Sequence, residues 1–457
     1  MLTTLLLLAA PVLPLQDAQA TAGRATVFRV DEVRTLDGKT LKNATVVVRE
    51  GVITSLGEAV VVPENAEVHD LRGTGAVMTP PLAVASSSFL ARGSRGGLNA
   101  RFLAAQSLRL ADDWADALLE EGVLVIGVDP PGAGMPGRTS VLLVGQEGPL
   151  VHDLHLKIDT GVGSNKKLVR DALAAADKAI DGEEKARDKW KKEREEWEAK
   201  QKEKAEAEKK AKEGGKEEGG AAAAQQGGNG RGQGKGGEQE DKEPPKEFEP
   251  PKIDPNVEPV VEWIRKQRVA QVRIGSAADW LHWQELLGDR ELPYQLVLDM
   301  EPSRFSGTTS TNLHEVKEAI AATGLRVLIP AVPAERTFLP YTRIRMNLPA
   351  ELVDAGLEKL VLLPPMSSPD GIAAWRTSVA MLAATGLDAD RALRAMTVDA
   401  AAALGQEELS GPLKAGAPAN FVVWSGAPLD AMARALYVVH DGETIYDRAR
   451  AEEEEER

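Results

Sequence analysis

With 457 residues the chain is too long for one small core, so two domains, or one large domain with insertions, are expected. A net charge of −15 argues against nucleic acid or an anionic membrane surface as partner. The absence of cysteine excludes disulfides, thiolate metal sites, iron–sulfur clusters and a cysteine nucleophile together.

Met1 to Ala20 reads as a secretory leader. The apolar run Leu2 to Leu15 is too short to span a bilayer, and Ala18-Gln19-Ala20 fits a small-x-small cleavage site, although the first residues carry no Lys or Arg. The expectation is an exported protein, periplasmic or extracellular, starting near Thr21, with no membrane span elsewhere. Residues 25–75 then read as short strands. Val27 to Val30, Thr45 to Val48 and Val52 to Leu56 are β-branched runs, with turns at Asp37-Gly38 and Glu50-Gly51.

After this β-rich start the apolar run Gly75 to Thr79 stops at Pro80-Pro81 and leads into Leu82 to Phe89, which contains Ser86, Ser87 and Ser88. The middle of the chain alternates strand and helix. Arg101 to Glu121 is amphipathic and leads into the buried-type strand Val123 to Val128. Further parallel-sheet candidates are Val269 to Ile274, Tyr294 to Asp299, Arg326 to Pro330 and Leu360 to Leu363, with helices expected at Thr311–Ala322, Ile372–Thr385 and Asp388–Leu404.

Residues 181–257 interrupt the pattern. Asp181 to Lys212 has the composition of an exposed charged helix, Gly214 to Gly237 is low-complexity Gly, Ala and Gln, and Glu243 to Pro255 is a stiff proline-rich exit. Its two signs of charge nearly cancel, so it is no basic arm; it reads as a solvated spacer or as a partner-docking arm.

Two ordered sets of residues carry a resemblance. The stretch from Asn43-Ala44-Thr45-Val46 through Val62-Pro63-Glu64-Asn65, continuing into Gly75–Ser88, and the C-terminal run Gly411-Pro412-Leu413-Lys414-Ala415-Gly416 to Asp447 resemble the metal-dependent amidohydrolase superfamily, in particular imidazolonepropionase-like members. The resemblance implies an α/β fold, a (β/α)8 TIM-like barrel over 81–410 with a small β-sandwich built from 21–80 and 411–450. It also implies a Val-x-Pro-Gly-Leu-Ile-Asp-x-His-x-His strand opening the barrel, whose two histidines hold a catalytic zinc or another divalent metal. Pro80 and Leu82 match that pattern and Met78 replaces the valine conservatively. The glycine is Pro81, the aspartate is Val84, and the two histidines are Ser86 and Ser88.

The loss repeats further on. The later ligand positions fall on Ile274 and Ser276, on Asp299 or Met300, and on Met366, Ser367 or Ser368. A zinc site needs three or four nitrogen, oxygen or sulfur ligands, and only carboxylates such as Asp299, Glu301 and Asp370 stand near. These read as ordinary strand-end and helix-cap groups, or as a remodelled oxygen-only site. The six histidines, His69, His152, His155, His282, His314 and His440, read as packing, surface or helix-terminal residues. Gly132 to Gly137 fits Gly-x-Gly-x-x-Gly, but the strand-like Ser140 to Val144 follows it where a pyrophosphate site needs a helix. Gly234-Lys235 lacks the following Ser or Thr of a P-loop, and Ser86 to Ser88 form no nucleophile elbow.

The expectation is therefore an exported protein of amidohydrolase fold, catalytically degenerate, with a remnant pocket at Ser86, Ser88, Ile274, Met300 and Ser368 and no cofactor. It would bind a small molecule at the barrel mouth, or act as a homo-oligomer or as the partner of an active paralogue. Two alternatives stay open. One is an active hydrolase of non-peptide C–N bonds using Asp299, Glu301 and Asp370; the other is a docking protein acting through the charged insertion.

Overall fold

The computed structural model describes residues 24–92, 96–111, 113–161, 163–213, 246–300, 309–310, 312–339 and 342–455. The leader-like Met1–Ala20, the Gly214–Gly237 tract and Glu301 lie outside them.

The chain opens with β1 (Thr26–Arg34), β2 (Thr40–Arg49), β3 (Val52–Gly57), β4 (Glu67–Asp70) and β5 (Val77–Thr79). The period of two sends neighbouring residues of β1 to opposite faces: Phe28 and Val30 pack with Val46, Met78 and Phe421, while Val27 meets Val47 on the other side. Glu50 and Gly51 both take positive φ, 49° and 77°, as a tight hairpin between β2 and β3 requires.

The middle of the chain supplies β6 (Leu82–Ser87), β7 (Gly97–Leu98), β8 (Val123–Val128), β9 (Gly134–Arg138), β10 (Ser140–Leu143), β11 (Leu156–Asp159), β12 (Ala270–Ile274), β13 (Tyr294–Leu298), β14 (Thr309–Ser310), β15 (Val327–Pro330), β16 (Ala334–Leu339), β17 (Thr342–Met346) and β18 (Leu360–Leu363). The chain then returns through β19 (Phe421–Trp424), β20 (Ala435–His440) and β21 (Glu443–Asp447). The two ends meet in one eight-stranded sheet of order β21-β20-β19-β5-β1-β2-β3, with β4 beside β1; β19 runs antiparallel to β5, setting Val423 opposite Met78.

The middle is a mixed α/β unit. Strands β11, β12, β13, β15 and β18 are parallel neighbours, and β6 and β8 are a second parallel pair. Both faces of these strands are buried. Val84, Ile126, Ile158, Val272, Leu296, Ile329 and Leu362 pack outward against helices in the main core. Ala83, Ala85, Val125, Val297, Leu328, Val361 and Leu363 point the other way and form one shared interior with Ala400, Ala401 and Leu404. The two parallel blocks thus share an inner face, although no backbone ladder joins them among the described residues.

The helices differ from expectation in ways the packing explains. The expected helix Asp388–Leu404 is two, Ala389–Met396 and Val398–Ala403, broken at Thr397, whose hydroxyl donates to Leu393 O at 2.8 Å. The break turns the alanine-rich second helix into the interior. The charged helix is longer than its charged part: it runs Gly163–Glu213, because Val169, Ala172, Leu173 and Ala176 give its first turns a buried stripe at helical spacing. Further out, Trp190 Nε1 donates to Lys246 O at 2.7 Å and Phe248 packs on Trp190, so the returning chain lies along the helix.

One glycine fixes how the end sheet meets the middle. Gly122 ends the helix Trp114–Glu120 at φ +74°, and a Cβ there would lie 2.4 Å from Trp424 Cη2. Gly122→Ala is expected to cost about 2–3 kcal/mol, combining left-handed strain with overpacking. Urea unfolding of the variant reads this; an unchanged midpoint would mean that the Trp424 ring yields freely.

Candidate functional site

The site is built by register. Lys157 on β11 lies opposite Gln271 on β12, and Gln271 opposite Gln295 on β13. Alternation then puts Arg273 on the same face of β12, one step nearer the strand's C-terminal end. Lys157, Gln271 and Arg273 line a cavity of about 300 Å³ into which the ends of β6, β8, β13, β15 and β18 also converge, through Ser86 to Ser88, Asp129, Asp299 and Met300, Pro330, and Leu363 to Ser367. Convergence at strand C-terminal ends is where barrel and open α/β folds place ligands.

Its electrostatics are those of charges held out of water. Asp129 follows the fully buried β8; Ser86 Oγ donates to its Oδ2 at 2.5 Å, while Oδ1 has no partner among the described residues. Burial pushes the Asp129 carboxyl above the usual range, against the opposing pull of Lys157 and the Ser86 hydroxyl. Lys157 donates to Pro130 O at 2.9 Å, and burial pushes its ammonium down, opposed by Asp129. Arg273 Nε stands 3.0 Å from Asp299 Oδ2, at ion-pair distance without hydrogen-bond alignment. Gln271 is 2% exposed, and neither its Oε1 nor its Nε2 has a partner among the described residues.

The hydroxyls form a clasp. Ser367 Oγ lies 2.9 Å from Ser87 Oγ and accepts from the Ser88 N–H at 2.7 Å, tying the end of β6 to the segment after β18. Below the cavity, buried His155 faces Gln295 with Nδ1 and Nε2 3.5 Å apart, and its imidazole is lowered to about 4, first by burial and then by the Arg326 and Arg268 charges.

Of the residues singled out in the sequence, Ser86, Ser88, Asp299, Met300, Met366 and Ser367 line the cavity. Ile274 does not: it is one residue out of phase, turned into the main core, and Arg273 and Gln271 hold the cavity face of that strand. Ser276 and Ser368 are N-caps, accepting from Asp279 N and Gly371 N at 3.1 Å each; of the three alternatives at the last position, Met366 and Ser367 reach the cavity and Ser368 does not. Asp370 is exposed in the first turn of the helix that Ser368 caps. Asp129, Lys157, Gln271 and Arg273 were not among the candidates. A carboxylate ending a fully buried strand was a signal available for Asp129; Lys157 offered none.

The residues do not fit a zinc ion. Ile274 faces away, Met300 brings a thioether, and the serine hydroxyls are engaged with Asp129 and with one another. Asp299 already stands beside the Arg273 guanidinium, and Asp129 accepts from the Ser86 hydroxyl. Among the described residues no group of three His, Asp or Glu has a metal-holding arrangement.

The amidohydrolase family model matches residues 370–446, the segment that runs from the first turn of the Ser368-capped helix through Val398–Ala403 into β19–β21. The fold agrees: an amidohydrolase from Thermotoga maritima superposes with a TM-score of 0.65 at 19% identity, covering 93% of this chain and 100% of that one. The C-terminal segment thus matches an amidohydrolase family model, and the fold of the chain is similar to that of an amidohydrolase. Also similar are a β-aspartyl dipeptidase from Fervidobacterium islandicum, with a TM-score of 0.47 at 12% identity over 93% of this chain and 97% of that one, and a Xaa-Pro dipeptidase, with a TM-score of 0.44 at 12% identity over 93% and 100%. No curated protein matches the chain.

Proposed function

We propose that this protein is an amidohydrolase-like barrel that binds a small polar molecule at the C-terminal ends of its strands and does not hydrolyse it through a metal. The observation that carries the reading is how the cavity carboxylates are already engaged: Asp299 stands 3.0 Å from the Arg273 guanidinium, and Asp129 accepts from the Ser86 hydroxyl. Where metal-assisted hydrolysis needs an open cation site to make a bound water nucleophilic, the Arg273 guanidinium already holds a positive charge against Asp299. The cavity keeps recognition groups: Gln271 offers a donor and an acceptor, and Asp129 Oδ1 an acceptor, each buried and without a partner among the described residues. Each such group costs about 1–3 kcal/mol until something satisfies it. An occupant that meets them gains that energy.

The test is a thermal-shift panel of small amides, lactams and carboxylic acids, run beside metal analysis and hydrolysis assays with zinc or manganese supplied. The expected result is stabilisation by at least one panel member in the native protein, lost in Gln271→Leu, with no hydrolysis above background. Stoichiometric zinc together with hydrolysis that disappears on chelation would overturn it.

A further inference from the structure

One amine in this chain differs from every lysine on its surface. Lys157 is 5% exposed, reaches the cavity from the middle of the strand row, and is anchored by the 2.9 Å bond it donates to Pro130 O. Its register neighbour is Gln271, with both amide atoms unpartnered among the described residues, and Asp129, whose Oδ1 likewise lacks a partner among them, precedes the carbonyl that holds it. An amine kept from water beside a proton-accepting group, at the wall of a cavity large enough for a small molecule, is the arrangement that lets lysine act as a nucleophile toward carbonyl carbon.

We propose that Lys157 captures a small aldehyde or ketone in this cavity as an imine, with Asp129 moving the proton and Gln271 holding the captured molecule's polar group. The neutral Nζ adds to the carbonyl carbon. A C–N bond forms, the C=O π pair moves to oxygen, and Asp129 takes the proton from nitrogen and returns it to that oxygen. The carbinolamine then loses the oxygen as water and nitrogen loses its second proton, so amine plus carbonyl gives imine plus water with no oxidant or reductant. The inference rests on the cavity being a ligand site and goes beyond that reading in assigning it covalent chemistry.

The experiment is reductive trapping on the full chain at pH 7, with pyruvate or hydroxyacetone as probe and cyanoborohydride as reductant, read by peptide mass spectrometry. An exposed lysine with a pKa near 10.4 is neutral in only about one molecule in 2,500 at that pH. Lys157 should therefore be labelled at least about tenfold faster than Lys189 on the exposed helix, whose side chain is 79% exposed. Lys157→Arg should remove the adduct while keeping the charge and the unfolding transition. Asp129→Asn should slow labelling at Lys157 and leave Lys189 unchanged. Labelled surface lysines with an unmodified Lys157, in protein of intact unfolding transition, would overturn the proposal. If panel molecules still stabilise that protein, the imine alone fails and the ligand site stands; a trapped Lys157 without metal-dependent hydrolysis supports both.

Discussion

Replacing Arg376 with methionine should cost about 3–5 kcal/mol of folding stability, the scale for removing one partner of a buried charged network. Arg376 is 6% exposed and joins the last helices of the middle unit to the returning chain. Its Nη1 donates to Pro428 O at 3.1 Å and its Nη2 to Ala433 O at 3.0 Å; Nη2 also lies 3.4 Å from Glu121 Oε2, and the guanidinium carbon stands 4.9 Å from the centre of the Trp424 ring. Methionine fills the volume and satisfies none of these. The loss includes two carbonyls left dry and the Glu121 carboxyl, which burial already pushes upward and which Arg376 pulls back. Urea unfolding should show the midpoint falling with the slope unchanged, and Arg376→Lys should recover part of the loss by keeping charge without the planar fork. A methionine variant of native stability would show that the Trp424 contact and the surrounding packing hold this seam without the charge.

Stability should also fall on mild acidification because of a single histidine. The His155 imidazole sits at about 4 in the folded protein against an ordinary 6.5, first because it is buried and then because Arg326 and Arg268 face it. A depressed histidine is neutral in both states above pH 6.5. Between 6.5 and 4 the unfolded chain takes up the proton and the folded chain does not, so stability present at neutral pH drains as pH falls, by about 3 kcal/mol in all. The depressed carboxylates act with the same sign and overlap the acid end of this window, Glu32 and Glu183 from an ordinary 4.5 and Asp31, Asp37, Asp70 and Asp177 from 3.8. The histidine's share is therefore the difference between the native and His155→Gln curves. Asp129 has the opposite sign, since a raised carboxyl favours folding as pH falls. His155→Gln should flatten the native curve between pH 6.5 and 4. Parallel curves for the two proteins would mean that the folded state protonates His155 as readily as the unfolded chain does.

The sequence was most legible where one physical rule acted alone. The apolar runs Val123–Val128 and Leu360–Leu363 are strands at those residues, because a strand covered on both faces needs little beyond continuous β-branched and leucine side chains. The pairing of the chain ends followed from the resemblance rather than from periodicity. Strand β11 was missed for an equally definite reason. Leu156-Lys157-Ile158-Asp159 alternates as a half-exposed strand would, with lysine expected toward water. In the structure Leu156 and Ile158 pack on the helix layer, and the face carrying Lys157 is buried as well. Ile274 went astray by one residue, which in a strand is the whole difference between the core face and the cavity face. The serines and Met300 came from the resemblance, and the cavity does contain them; the charges that now occupy it came from strands that no motif marks.

The helix Gly163–Glu213 has 51 residues, and at 1.5 Å per residue it extends roughly 75 Å. A globule of this chain's length would be only about 60 Å across. Such a rod makes the particle anisotropic in solution: it should reorient more slowly end over end than about its long axis, and its scattering should show a maximum dimension beyond that of a sphere of equal mass.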